Sequence, residues 1–232
     1  MRLSVEYHYE HDGIKLASAG LNLDILNQYI KNPKVIIEFG SFDGGDGLRY
    51  KLAYPNCDIY SIESDPILFE RIKKLEKYGL GVFNYAIYHK TGDIKFNRCR
   101  FKEPYYCYNK NDIGGSGSIL EPSDYNKKIV THQEYDEKAI MVPSITIQQF
   151  CLEHNINVID LMHIDVEGAT LEVLEGFGEI RPKVLFIEIE GAVKFWEGAP
   201  ELKLVDFILN KMGYELKEKD EVNALYVKKE VD

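Results

Sequence analysis

Two apolar runs in the second half of the chain carry ionisable residues at every other position. LMHIDVEG sets His163, Asp165 and Glu167 two apart, and VLFIEIE does the same with Glu188 and Glu190. Side chains alternate across a strand, so these groups share a face and crowd the carboxyl ends of two strands that are otherwise apolar. Ionisable groups on buried strands are costly unless paired or put to use, and five of them at two strand ends point to a site. The chemistry open to them is proton transfer. His163 titrates nearest neutrality by type, and Asp165 is the strongest candidate. Each has a plainer alternative: His163 as a hydrogen-bonded core histidine, Glu167 as the acid that opens the following helix, Glu190 as a solvated strand-end acid. Glu188 stays open between the two. A metal set of His163, Asp165 and Glu188 is conceivable by residue type, but no tight ligand spacing supports it and no metal is expected. His8 and His11 read as part of a solvated tail.

A second constellation lies near residue 40. Glu38-Phe39-Gly40-Ser41-Phe42-Asp43-Gly44 follows an apolar run, and its glycines allow a sharp turn and close approach to a ligand. It is not the GxGxxG pyrophosphate fingerprint, because Phe42 interrupts it. A carboxylate at position 38 would repel a phosphate and favour a ligand bearing an ammonium and a sulfonium group. S-adenosylmethionine has both and no phosphate. Glu63, with Ser64 beside it, ends the next strand about 20 residues on, where an acid can accept hydrogen bonds from ribose hydroxyls. Asn84 and Ala86 end the third, where backbone groups can read an adenine edge.

These groups need a scaffold. Strand-like runs at 34–40, 57–63, 81–87, 158–165 and 183–190 alternate with helical patterns at 47–54, 66–78, 168–177 and 200–212. Asp65-Pro66 caps one helix and Gly79 stops it. Ser144 is expected to cap the helix that begins ITIQQF. A short strand is expected at 92–96, and two strands close the chain around a turn at 220–223. Alternating β and α units imply a mostly parallel, doubly wound sheet with helices on both faces, with ligands beyond the carboxyl ends of its strands. Residues 1–33 are expected as an N-terminal helical extension. Residues 98–139, rich in Tyr, Asn and Gly, read as a lid or insertion.

The chain has 232 residues, 45% of them hydrophobic, which fits one domain over 1–232. The net charge of -10 argues against general nucleic-acid binding. The start has no apolar signal core and no run reaches the ~20 residues of a membrane span. Four cysteines without a CxxC pair are expected as reduced thiols in a cytoplasmic protein.

The segments IIEFGSFDGGDG, YSIESDPILFERI, NYAIYHKTGDIKF, GGSGSI and above all IDLMHIDVEGATLEVLEGF with VLFIEIE resemble the FkbM family of S-adenosylmethionine-dependent methyltransferases, in collinear order from about Lys34 to Glu190. The resemblance implies a Rossmann-like class I methyltransferase fold and O-methylation of a sugar or other small-molecule or glycan hydroxyl. It implies that Glu38, Gly40 and Gly44 hold the methionine part of the cofactor, with Ser41 between them, and Glu63 the ribose. Asp165 and Glu167 would lie near the transferred methyl. The family's usual Lys before the Ile-Asp-Val-Glu-Gly run is His163 here. On the residues alone, a non-catalytic S-adenosylmethionine-binding module, a nicotinamide-dependent oxidoreductase on a similar fold and a metal-dependent hydrolase remain alternatives, and the oligomeric state is open.

Overall fold

A computed structural model describes residues 2–18, 20–189 and 194–230. The chain opens with an antiparallel hairpin, β1 (Tyr7–His11) and β2 (Ile14–Ser18), then α1 (Leu23–Tyr29). The first 33 residues are thus a hairpin and one helix, not the helical extension expected. The reason is legible afterwards: Asp12 and Gly13 both take positive φ (49° and 76°), as a two-residue hairpin turn demands. Leu16 packs with Leu21, Ile25 and Leu26 beneath this hairpin, so the segment is not a solvated tail.

The main body alternates as expected: β3 (Val35–Phe39), α2 (Gly45–Ala53), β4 (Asp58–Glu63), α3 (Pro66–Ile72) and β5 (Leu80–Asn84). Asp65 caps α3 by accepting from the backbone N–H of Ile67, and a 3-10 turn carries the helix on to Gly79. The third strand breaks at Tyr85. Its remainder, β6 (Ala86–Ile87), leaves the main sheet for a small one with β7 (Gly92–Phe96) and a later strand.

Residues 98–139 are not without structure. They hold β8 (Cys99–Phe101), α4 (Asp124–Ile129) and β9 (Gln133–Tyr135), with β8 and β9 paired antiparallel. β10 (Ile140–Ile145) follows and pairs with both β6 and β7. Ser144 lies inside β10 rather than at a helix cap. The cap of α5 (Ile147–Glu153) is Thr146, whose hydroxyl accepts from the Gln149 N–H. Two hydroxyl residues two apart offer the same local bond, and strand pairing of Ser144 with Ala86 and Gly92 decides between them.

The chain then returns to the main sheet through β11 (Leu161–Ile164), α6 (Thr170–Glu175), β12 (Val184–Glu188), α7 (Leu202–Lys211), β13 (Tyr214–Lys219) and β14 (Asn223–Lys228). The seven strands run in the order β13-β14-β12-β11-β3-β4-β5. β12, β11, β3, β4 and β5 are parallel, while β14 runs antiparallel to β12. One core lies between the sheet and α5, α6 and α7, and a second between the sheet and α1, α2 and the hairpin. This is the doubly wound, Rossmann-like α/β fold with helices on both faces. Strand order reverses between β3 and β11, and the crevice beyond their carboxyl ends is where such sheets bind ligands. No helix among the described residues is long and apolar enough to cross a membrane.

Candidate active site

Two hollows open at that crevice. The first is floored by Gly40, Glu63, Ser64 and Asp165 and walled by Tyr85, Ala86 and Ile87. The second is lined by Ser41, Asp43, Asp46, Gln133 and Glu167, together with His8, Phe101, Tyr105 and His132. Gly40, Gly115 and Asp165 belong to both, so the hollows meet over these three residues.

Gly40 has no room for a side chain. Its φ is 79°, and a Cβ would stand 1.7 Å from the carbonyl oxygen of Asp165. The Asp165 N–H in turn donates to the Phe39 carbonyl at 3.1 Å, locking the ends of β3 and β11 together. Glu63 is buried with its carboxylate held by two backbone donors, Phe42 N–H on Oε2 and Asp65 N–H on Oε1, each at 2.8 Å. Burial pushes its carboxyl up to about 7 despite those bonds. A carboxylate has about four acceptor sites in all, so these backbone bonds leave capacity for a hydroxyl.

Beyond β11, Asp165 is half-buried at the mouth. Burial raises its carboxyl above the usual range, while His163 and a hydrogen bond with Glu188 pull it down. Carboxylate oxygens of Asp165, Glu167 and Glu188 lie within 4.8 Å of one another. Glu167 takes a positive φ of 50°, and its Oε2 accepts from Trp196 Nε1 at 3.2 Å. Acidic groups so close need a shared proton or a cation between them. Glu38, Asp46 and His163 form a second such cluster.

Among the described residues, no lysine or arginine lines either hollow. Such a cleft suits a ligand with cationic groups and suits a phosphate poorly. The glycine cradle at Gly40 and the oriented Glu63 carboxylate fit a nucleoside. The sequence profile of the Methyltransferase FkbM domain matches residues 45–216, well over half of the chain. The chain belongs to the FkbM methyltransferase family.

Its cofactor is S-adenosylmethionine, in keeping with the cation-tolerant cleft, and the nicotinamide reading falls with that. This FkbM methyltransferase is 26% identical over 205 residues to the 2-O-methyltransferase NoeI of Sinorhizobium fredii, which covers 84% of this chain and 79% of that protein. Solved structures similar to it include the precorrin-6y C5,15-methyltransferase of Geobacter metallireducens GS-15, with 11% identity over 90% of this chain and 87% of that one and a TM-score of 0.47. Another is TrmK of M. capricolum with S-adenosylhomocysteine, with 10% identity over 88% of this chain, a TM-score of 0.42, and only 65% of the TrmK chain spanned.

Not every residue singled out from the sequence reaches the hollows of the methyltransferase. Glu38 and His163 sit side by side on β3 and β11, in one row with Ser61 of β4. That row faces α2. Ser61 Oγ donates to Glu38 at 2.8 Å, and the Tyr50 hydroxyl lies 3.2 Å from His163 Nδ1. Burial lowers the His163 pKa and drives Glu38 up to about 8. His163 is therefore a core histidine bonded to Tyr50, and the structure does not bring it to the mouth as a base. Gly44 also turns away: a Cβ there would meet Leu75 Cδ1 at 2.2 Å, so it serves the packing of α2 on the turn after α3. Asn84 directs its amide to the carbonyls of Glu63 and Ser64, at 2.8 and 3.0 Å, and so shapes the first hollow without lining it. Gly40, Ser41, Glu63, Ser64, Ala86, Asp165 and Glu167 line one hollow or both. Glu188 joins Asp165 and Glu167, while Glu190 lies outside the described residues.

Several groups at the site escaped the sequence reading. The hairpin fastens the glycine loop: Ala17 N–H donates to Asp43 at 2.7 Å and the Tyr9 hydroxyl to the Gly45 carbonyl at 2.6 Å. The Tyr108 hydroxyl donates to Asp43 as well, and Arg98 bonds the buried cap Asp65. With the Ser118 hydroxyl, which donates to the Glu167 carbonyl at 2.7 Å, these contacts help tie residues 98–139 to the main body. The one signal for the hairpin contacts was the Asp12-Gly13 turn. Nothing in the sequence announces the partners of Asp43 and Asp65.

Proposed function

We propose that this enzyme transfers a methyl group to a hydroxyl of a sugar or other small-molecule or glycan acceptor, with Asp165 as the base. The observation that carries the proposal is the position of Asp165 where the two hollows meet, with a carboxyl raised by burial and bonded to Glu188. S-adenosylmethionine, when bound, supplies an electrophilic methyl on a positively charged sulfur. Glu63 accepts from the ribose hydroxyls, Ser64 and Ala86 bound the adenine, and Gly40 and Ser41 line the passage toward the methionine end.

The second hollow receives the acceptor. Its aromatic side carries His8, Phe101, Tyr105 and His132, with Phe101 and Tyr105 stacked at 5.6 Å and Tyr105 and His132 at 6.1 Å. Aromatic faces beside carboxylates suit a sugar, whose ring offers C–H faces and whose hydroxyls donate to acids. An alcohol is a weak nucleophile, so its proton must leave as the new carbon–oxygen bond forms. Asp165 takes that proton, and Glu188 stabilises the pair by sharing it. Holding the acceptor oxygen in line supplies much of the rate. The 98–139 segment covers the crevice and keeps water out. The relative's name, a 2-O-methyltransferase, supports a hydroxyl acceptor.

Methyl transfer to a panel of methyl pyranosides and of simple amines, read by S-adenosylhomocysteine release, tests the proposal. Transfer to a pyranoside that disappears in Asp165→Asn, with calorimetric S-adenosylhomocysteine binding preserved, is the expected result. Transfer to amines alone would reject the hydroxyl acceptor. Near-normal turnover in the variant would remove Asp165 from the mechanism.

A further inference from the structure

Glu167 holds a backbone conformation that a residue with a side chain rarely takes, with a φ of 50°, and Gly168 follows it at 85°. Such strain persists only where the surroundings over-determine it, and it collects at functional sites. Here the surroundings come from two distant segments. The Ser118 hydroxyl donates to the Glu167 carbonyl at 2.7 Å, and Trp196 Nε1 donates to its Oε2 at 3.2 Å. Both donor residues are buried. Gly168 gives the indole its place, since a Cβ there would meet Trp196 Cδ1 at 2.8 Å. The Glu167 carboxylate is thus fixed before a ligand arrives, while the residue stays half-buried and lines the second hollow.

The three acids at this mouth divide by position. Among the described residues, Asp165 lines both hollows, Glu167 the second alone and Glu188 neither. Asp165 is the proposed base and Glu188 bonds it, which leaves Glu167 as the member of the three that meets the acceptor alone. Carboxylate oxygens of Asp165 and Glu167 lie within 4.8 Å of each other. Neighbouring hydroxyl oxygens on a saturated ring stand about one hydrogen-bond length apart, so each can donate to one of the two acids at once. A carboxylate has about four acceptor sites in all, enough for Trp196 and a hydroxyl together. We infer that the acceptor is a vicinal diol and that Glu167 is its specificity residue, accepting from the hydroxyl next to the one that is methylated. Asp165 takes the proton of the reacting hydroxyl, and the carbon–oxygen bond forms as the sulfur–methyl bond breaks. S-adenosylhomocysteine and a mono-O-methylated diol result. Glu167 changes no bond and fixes which of two adjacent oxygens reaches the methyl. This inference rests on the proposed hydroxyl acceptor and narrows it to one class.

Steady-state kinetics decides it, with the methyl pyranoside that the wild type methylates and with deoxy analogues that each lack one other hydroxyl. Loss of a hydroxyl adjacent to the methylated oxygen should lower kcat/KM at least about 10-fold, as expected for a lost bond to a charged group. Loss of a remote hydroxyl should cost less. Glu167→Gly removes the side chain and suits the positive φ. In that variant the intact pyranoside and the adjacent-deoxy analogue should become equal substrates, with calorimetric S-adenosylhomocysteine binding unchanged. A wild-type kcat/KM indifferent to every adjacent hydroxyl would overturn the inference and leave the hydroxyl acceptor standing. So would a discrimination that survives in Glu167→Gly, which would assign it to another residue. If the enzyme methylates amines and no pyranoside, the hydroxyl acceptor falls and this inference falls with it. If Glu167→Gly does not fold, Glu167→Asp gives the same decision. It keeps the charge, tolerates the left-handed backbone and draws the carboxylate back by one methylene: a reduced discrimination supports the inference and an unchanged one defeats it.

Discussion

Gly40 and Asp165 meet so closely that the residues just beyond β3 and β11 form one floor under both hollows. A Cβ on Gly40 would stand 1.7 Å from the Asp165 carbonyl oxygen, and Gly40 has a φ of 79°. The residue that carries the proposed base is therefore set by the backbone of the glycine loop, and a change at one disturbs the other.

Gly40→Ala is expected to destabilise the protein by at least about 2 kcal/mol, because it adds a clash to the left-handed penalty. Gly13→Ala is the control. It has a similar φ of 76° with nothing within 4 Å of its Cβ, so it incurs the penalty without the clash. Chemical denaturation of both variants separates the two effects. Equal losses would show that the Gly40–Asp165 approach relaxes freely.

Asp165→Asn should lower turnover by two orders of magnitude or more, roughly the range of a lost general base, with cofactor binding retained. In the wild type the base must be ionised. Burial raises its pKa, so turnover should climb with pH over a range above that of an ordinary aspartate. A rate–pH profile without an acidic limb would argue against a carboxylate base.

Much of this site was legible in the sequence, for reasons that differ by residue. Asp165 and Glu167 stand out because two-residue alternation put acids where only apolar residues are free of cost. Glu63 stands out because it ends a strand at ribose distance from a glycine turn. His163 obeyed the same alternation, yet the row it shares with Glu38 and Ser61 faces α2. Which face of a parallel sheet meets a helix and which meets a ligand depends on where the strand stops, and alternation does not report that. The Asp12-Gly13 turn marks the hairpin, but the polar residues that flank it hide the strand pairing.

Arg98 and Asp65 form a buried ion pair, with side-chain exposures of 10% and 0%. Asp65 also caps α3 beside the first hollow. Removing the arginine alone leaves a buried carboxylate without its cation, a loss of about 3–5 kcal/mol in comparable pairs. Arg98→Met is expected to approach that loss in denaturation. It should also increase proteolytic cutting within 98–139, because the ion pair is one of the contacts that tie the segment to the main body. Unchanged proteolysis together with lowered stability would confine the role of Arg98 to the α3 cap.

Glu38 makes the pH dependence of stability unusual. Burial pushes its carboxyl up from 4.5 to about 8, with Asp46 adding to the rise and the Ser61 and Ser41 hydroxyls opposing it. The folded protein therefore keeps a proton that the unfolded chain releases between about pH 4.5 and about pH 8. Stability is fullest below that window and declines as pH rises through it, levelling off above the folded pKa. Glu63, raised to about 7 by burial, acts in the same direction over a narrower window. Glu38→Gln imitates the protonated form permanently, and Ser61 can still donate to its amide oxygen. The thermal midpoint of the variant should therefore fall less than that of the wild type between about pH 5 and about pH 9. Its relative advantage should be greatest at the alkaline end. Parallel curves for the two proteins across that range would mean that Glu38 is ionised in the folded state, with the Ser61 and Ser41 hydroxyls holding its charge.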